Sequence, residues 1–130
     1  MESLSIKGSH ETPDVIFDKE KGVFSIIGKS LPEDVKEFYS PLIKWIDLYA
    51  ESPNPETVLK IKMDYFNTAS SKMILEIFEK LKAIYDAGNK VTIDWYFHED
   101  DEDMQDAGED YADIVEVPFN FIKYQPVTNL

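Results

Sequence analysis

The chain has no cysteine, which removes disulfides, thiolate zinc sites and cysteine nucleophiles at once and fits a reducing, cytoplasmic setting. Only five glycines occur in 130 residues. They are scattered, so neither glycine-rich nucleotide fingerprint can be assembled. Basic side chains are also scarce, 13 against 26 acidic ones, for a formal charge of −13. Such a field repels phosphate backbones, and nucleic acid is not an expected partner. No apolar run approaches the length of a bilayer span, and the opening MESLSIKGSH has no basic segment followed by an apolar one. A soluble, unsecreted protein without membrane contact is expected.

Two histidines, His10 and His98, are all the imidazole there is. Neither sits in a metal-binding spacing or beside a recognisable nucleophile. The acidic run from Glu99 to Glu116 invites a calcium reading, but its spacing fails. With Asp103 placed first in a calcium loop, the third and fifth positions are Gln105 and Ala107 and the twelfth is Ile114, so neither the fifth position nor the twelfth, which calls for a bidentate glutamate, offers a side-chain oxygen. Neither a metal nor any other cofactor is expected, and no catalytic residue is nominated. The acidic run, with Met104, Ala107, Tyr111 and Ala112 at helical spacing, is expected to be a short solvated helix.

What is present is enough apolar sequence for one core, so residues 1–130 are read as a single domain. Val15–Phe17 and Val23–Ile27, separated by five polar residues ending in Gly22, read as an antiparallel hairpin closed by Gly28. Ser30-Leu31-Pro32-Glu33 has the form of a capping box. The helix it would open carries Val35, Phe38, Leu42, Ile46 and Tyr49 inward with Trp45 alongside, and is kinked or divided at Pro41. A turn at Ser52–Pro55 leads into a strand in which Leu59, Ile61, Met63 and Tyr65 alternate with polar residues. A second helix follows, striped by Met73, Ile74, Ile77, Phe78, Leu81, Ile84 and Tyr85 and stopped at Gly88-Asn89. The strand Val91–Phe97 completes a β-α-β crossover. Lys60, Lys62, Thr92 and Asp94 on one side of these strands predict helices mainly on the other. Val115–Ile122 reads as a last strand and Gln125–Leu130 as a frayed tail. The fold class is α/β: a mixed sheet with a hairpin first, then the crossover.

One junction stands out. Asp64-Tyr65-Phe66-Asn67-Thr68-Ala69-Ser70-Ser71 takes the chain from strand to helix with three hydroxyls in the first turn. Asn67 or Thr68 serves as N-cap. Loops at the carboxyl ends of parallel strands are where partners are met, and a phosphate on Thr68 would lie at the positive end of the helix.

That segment, with Gly28-x-Ser30-x-Pro32-Glu33 before it and Gly88-Asn89-x-Val91, Trp95 and Pro118-Phe119 after it, resembles the SiaC family of bacterial regulatory phosphoproteins. The resemblance implies a STAS-like fold, similar to anti-sigma factor antagonists. It implies a non-catalytic partner-switching protein in which Thr68 is phosphorylated by a serine/threonine kinase of the histidine-kinase-like ATPase fold. A PP2C-type phosphatase would remove the phosphate. The unphosphorylated form would bind and activate a diguanylate cyclase, with cyclic di-GMP and biofilm formation as output. Asp64, Tyr65, Phe66, Asn67, Thr68, Ser70 and Ser71 would form the partner surface. The alternative is a STAS-type sensor that binds a small ligand or nucleotide at the same loop.

Overall fold

The computed structural model describes residues 1–125, so the tail expected beyond Gln125 lies outside the described residues. Among the described residues six strands form one sheet in the order of the chain: β1 (Leu4–Ile6), β2 (Asp14–Asp18), β3 (Val23–Ser30), β4 (Glu56–Phe66), β5 (Lys90–His98) and β6 (Phe119–Tyr124). The pairs β1–β2 and β2–β3 are antiparallel, and β3–β4, β4–β5 and β5–β6 are parallel. The parallel links are made by α1 (Val35–Glu51), α2 (Thr68–Asp86) and α3 (Glu102–Val115).

The strand order never reverses, and this decides where the helices go. Each crossover moves one strand along in the same direction, and crossovers share one handedness, so successive helices fall on one face. Trp45 of α1 packs on Phe17 at 5.3 Å, Phe78 of α2 on Trp95 at 6.4 Å, and Tyr111 of α3 on Trp95 at 5.5 Å between ring centroids. Phe17, Phe24, Leu59 and Ile93 stand in register on that face, as do Val15, Ile26, Ile61 and Trp95. All eight are buried. The opposite face carries Ser25, Lys60 and Asp94 in one row, with Lys60 Nζ 4.8 Å from the Tyr96 ring centre and Lys62 Nζ 4.5 Å from that of Tyr124. The hairpin, the crossover and the one-sided helices therefore stand as the sequence predicts.

Several local expectations are corrected. Asp34, not Ser30, caps α1: its Oδ1 accepts from the Glu37 amide at 3.0 Å, and Ser30 is still the last residue of β3. Gly28 does not end that strand. Pro41 neither divides nor ends α1, which runs 17 residues through it. Both Pro41 and Glu37, whose carbonyl loses its partner, are exposed, so water can satisfy that oxygen. Tyr39, absent from the expected inward stripe, is fully buried, whereas Val35 and Phe38 are only half-buried. Tyr85 is 38% exposed, so α2 ends its core contact at Ile84. Val115 and Val117 precede the last strand, which begins at Phe119.

The acidic segment is helical, but it is a wall of the core as well as a solvated surface. Met104, Gly108, Tyr111 and Val115 are its buried face. Asp101 Oδ1 caps it on the Met104 amide at 2.9 Å, and Glu102 and Asp103 sit in its first turn, where the helix dipole favours negative charge. Gly108 packs directly against Trp95, whose Nε1 donates to the Met104 carbonyl at 2.9 Å. Among the described residues no helix is long and apolar enough to cross a membrane.

Candidate functional site

At the carboxyl end of the sheet the register of β3 and β4 slips by one residue. Gly28 stands opposite Met63 and Lys29 opposite Tyr65, which leaves Asp64 as an extra residue on β4. Gly28 has φ +131°, a conformation side chains rarely adopt. The bulge reverses the alternation that Leu59, Ile61 and Met63 set up. Tyr65, expected inward, is 52% exposed, and Phe66 turns in its place toward the helices, with ring centroids 6.2 Å from Trp95 and 6.4 Å from Tyr111.

The chain then enters α2. Asn67 is the N-cap: its backbone is extended and its Oδ1 accepts from the Ser70 amide at 2.8 Å. Its own amide donates to the Ser30 carbonyl at 3.0 Å, and its carbonyl accepts from the Ser71 amide at 3.0 Å. Thr68 is thus the first helical residue, and it is exposed. By helix geometry the Thr68 and Ala69 amides have no intrahelical acceptor, so the turn presents polar hydrogen atoms beside that hydroxyl.

The other two hydroxyls are engaged. Ser70 is fully buried, and its Oγ donates to the Ser30 carbonyl at 3.0 Å and accepts from Ser30 Oγ at 2.9 Å. Ser71 Oγ donates to the Thr68 carbonyl at 2.7 Å, while the Ser71 carbonyl accepts from the Tyr111 phenol at 2.8 Å. Ser70, expected on the partner surface, therefore supports the turn from beneath. Burial pushes the phenols of Tyr111 and Tyr39 above their ordinary range, with the hydrogen bonds to Ser71, and to Ser30 and Ser70, opposing it.

Beside Phe66 the surface is shallow. An open depression of about 360 Å³ is lined by Asp64, Tyr65, Phe66, Asp101, Met104 and Ala107 among others. A second, of about 310 Å³, runs between α2 and α3 past Phe66, Ser71, Leu75, Ala107, Tyr111 and Ile114. Phe66 is shared by both, and Ile114 is 62% exposed. The rim is acidic. Burial, then the Asp64 and Asp101 carboxylates, raise the Tyr124 phenol above its usual value. A strand order without reversal also lacks the crevice in which open parallel sheets hold nucleotides. Among the described residues no group of three or more His, Asp or Glu side chains is placed to hold a metal. The arrangement is an exposed hydroxyl at the start of α2, two residues from Phe66, which lines both of these partly apolar, acidic-rimmed depressions.

Of the residues expected on the partner surface, Asp64, Tyr65 and Thr68 are exposed and Phe66, Asn67 and Ser71 are half-buried along the junction; Asp64, Tyr65 and Phe66 line the first depression, and Phe66 and Ser71 the second. Sequence reasoning missed Tyr39 and the α3 wall, and it read Ser30 as a helix cap although Ser30 bonds Tyr39 and Ser70 beneath the turn. The 39-42-46-49 spacing of apolar residues is as regular as the one through Phe38, and would have signalled Tyr39.

Comparisons with known proteins agree with this geometry. An uncharacterized protein of Pseudomonas aeruginosa (strain UCBPP-PA14) is 26% identical over 119 residues, 92% of this chain and 94% of that one. The crystal structure of apo-SiaC from Pseudomonas aeruginosa matches with a TM-score of 0.85 at 25% identity, over 94% of this chain and 99% of that one. A chain in the crystal structure of the diguanylate cyclase SiaD in complex with its activator SiaC has the same fold, with a TM-score of 0.86 at 24% identity, covering 93% and 99%. The family model for SiaC family regulatory phosphoproteins matches residues 6–124, and the chain belongs to that family.

Proposed function

We propose that the 130 residues act as one non-catalytic, STAS-like partner-switching module in the cytoplasm, controlled at Thr68. A kinase of the histidine-kinase-like ATPase fold phosphorylates that hydroxyl and a PP2C-type phosphatase frees it. The unphosphorylated form binds and activates an effector, a diguanylate cyclase, and so governs cyclic di-GMP and biofilm formation. Membership of a regulatory phosphoprotein family supports the mode of action, and the cyclase is suggested by the solved complex of SiaD with its activator SiaC.

The observation that carries the choice of residue is that Thr68 is exposed in the first turn of α2, while Ser70 is sealed and Ser71 is bonded to backbone. Phosphorylation adds about two negative charges and three acceptor oxygens. A partner seated over Tyr65, Phe66 and Thr68 would have to bury that dianion together with the depression that Asp64 and Asp101 line. Leaving it unpaired costs several kcal/mol, enough to dissolve a complex of ~1 μM, worth about 8 kcal/mol. The same carboxylates weigh against an anionic small ligand at this loop.

Coexpression with the cognate kinase, followed by intact mass and peptide mapping, is expected to place one phosphate on Thr68. Phosphate confined to Ser70 or Ser71 would refute the assignment. Thr68→Asp is expected to lose effector binding and Thr68→Ala to keep it, and equal affinities would remove the mechanism.

A further inference from the structure

Beneath Thr68 runs a chain of hydroxyls joining three elements. Tyr39 of α1, Ser30 at the end of β3 and Ser70 in the first turn of α2 are each fully buried. Proton counting gives the chain a direction. Ser70 Oγ donates to the Ser30 carbonyl at 3.0 Å and Ser30 Oγ donates to Ser70 Oγ at 2.9 Å. Each hydroxyl has one proton, so the Tyr39 phenol must be the donor to Ser30 Oγ, at 2.5 Å. The Ser30 carbonyl also receives the Asn67 amide. The chain therefore ends on both sides of Thr68, on the residue before it and on the residue two after it.

We infer that Tyr39 and Ser30 are positioning residues that decide which hydroxyl of the Asn67–Ser71 turn accepts a phosphoryl group, by keeping Ser70 withdrawn and the first turn of α2 closed. This rests on the reading of Thr68 as the phosphorylated residue. In that step Thr68 Oγ1 attacks the terminal phosphorus of a nucleoside triphosphate held by the kinase. The bond to the bridging oxygen breaks, the nucleoside diphosphate leaves, and the hydroxyl proton passes to a base on the kinase or to water. Ser70 can reach the same phosphorus only if its bonds to Ser30 open and the cap at Asn67 lets go of its amide. The relay disfavours that opening, and removing its first donor makes it about tenfold more frequent.

The test compares Tyr39→Phe and Ser30→Ala with Tyr49→Phe. Tyr49 is a buried phenol near the other end of α1, bonded to Thr57 Oγ1 at 2.6 Å, and it controls for a general loss of stability. Hydrogen exchange of the full-length protein is read at the Ser70 and Ser71 amides, and phosphopeptide mapping after coexpression with the kinase is read at Thr68 and Ser70. Tyr39→Phe is expected to speed local exchange about tenfold, the loss of roughly one hydrogen bond, and to spread phosphate onto Ser70. Tyr49→Phe is expected to do neither. Should Ser30→Ala fail to fold, Tyr39→Phe decides, because it removes a single oxygen. With the wild type phosphorylated on Thr68, variants whose exchange matches Tyr49→Phe and whose phosphate stays on Thr68 overturn the relay alone. A wild-type protein phosphorylated elsewhere overturns the choice of acceptor together with the Thr68 reading.

Discussion

Replacing Gly108 with alanine tests whether α3 is a structural wall or an acidic ornament. A Cβ built at Gly108 lies 2.5 Å from Trp95 Cδ1, 2.5 Å from Nε1 and 2.8 Å from Cε2. Real Cβ contacts are not that short. Trp95 cannot give way easily, since it is fully buried, held by Nε1 to the Met104 carbonyl at 2.9 Å, and flanked by Phe66, Phe78 and Tyr111. The helix must therefore move outward. Overpacking a tight core costs about 1–3 kcal/mol, and displacing α3 puts the Trp95 hydrogen bond, worth ~1 kcal/mol, at risk. Against this, alanine is favoured over glycine inside a helix by ~1 kcal/mol. The balance is a loss of about 2 kcal/mol, or a fall in Tm of roughly 6–10 °C for a chain of this size. Urea unfolding followed by tryptophan fluorescence and by circular dichroism measures it. The loss should be accompanied by a change in native Trp95 emission as water reaches the ring. A variant as stable as wild type, or more stable, would refute the reasoning, because it would mean that α3 is held at a distance at which side-chain volume does not matter.

Removing the cap with Asn67→Ala should lower stability by ~1 kcal/mol in urea melts, while Asn67→Asp, which keeps the acceptor for the Ser70 amide, should lose much less. Alkaline pH acts through the buried phenols. Tyr39 and Tyr111 have raised values in the folded protein, so above about pH 10 the unfolded chain gives up these protons while the folded one still holds them. Their contribution is complete below pH 10 and is lost as pH rises through the folded values. Tyr39→Phe should flatten that decline in pH-dependent urea midpoints, and an unchanged slope would show that the phenol is not protected.

The hairpin was legible because two apolar runs flank a polar turn ending in glycine, and the crossover because periodicity changes from two to 3.6 and back. The junction at Asn67-Thr68 was legible for the same kind of reason: capping is written in adjacent residues, and Asn67 reaches only as far as Ser70. Ser30 misled because Ser-x-x-Glu states a local possibility. The strand continues through Ser30 because its hydroxyl finds Tyr39 and Ser70 instead, the latter 40 residues away. Pro41 does not divide α1 because its cost depends on whether the freed carbonyl can reach water, and that is a matter of which side of α1 faces out.

The sequence by itself determined the order of strands and helices, the uncovered polar face of the sheet, and the junction at Asn67-Thr68 where α2 begins. Each of these follows from residues near one another in the chain. Only the tertiary structure decided that Asp64 bulges and exchanges the roles of Tyr65 and Phe66, since a register slip exists only between two paired strands. It alone decided that Ser70 is sealed while Thr68 is open, because their difference is set by Ser30 and Tyr39, which other parts of the fold bring beneath them.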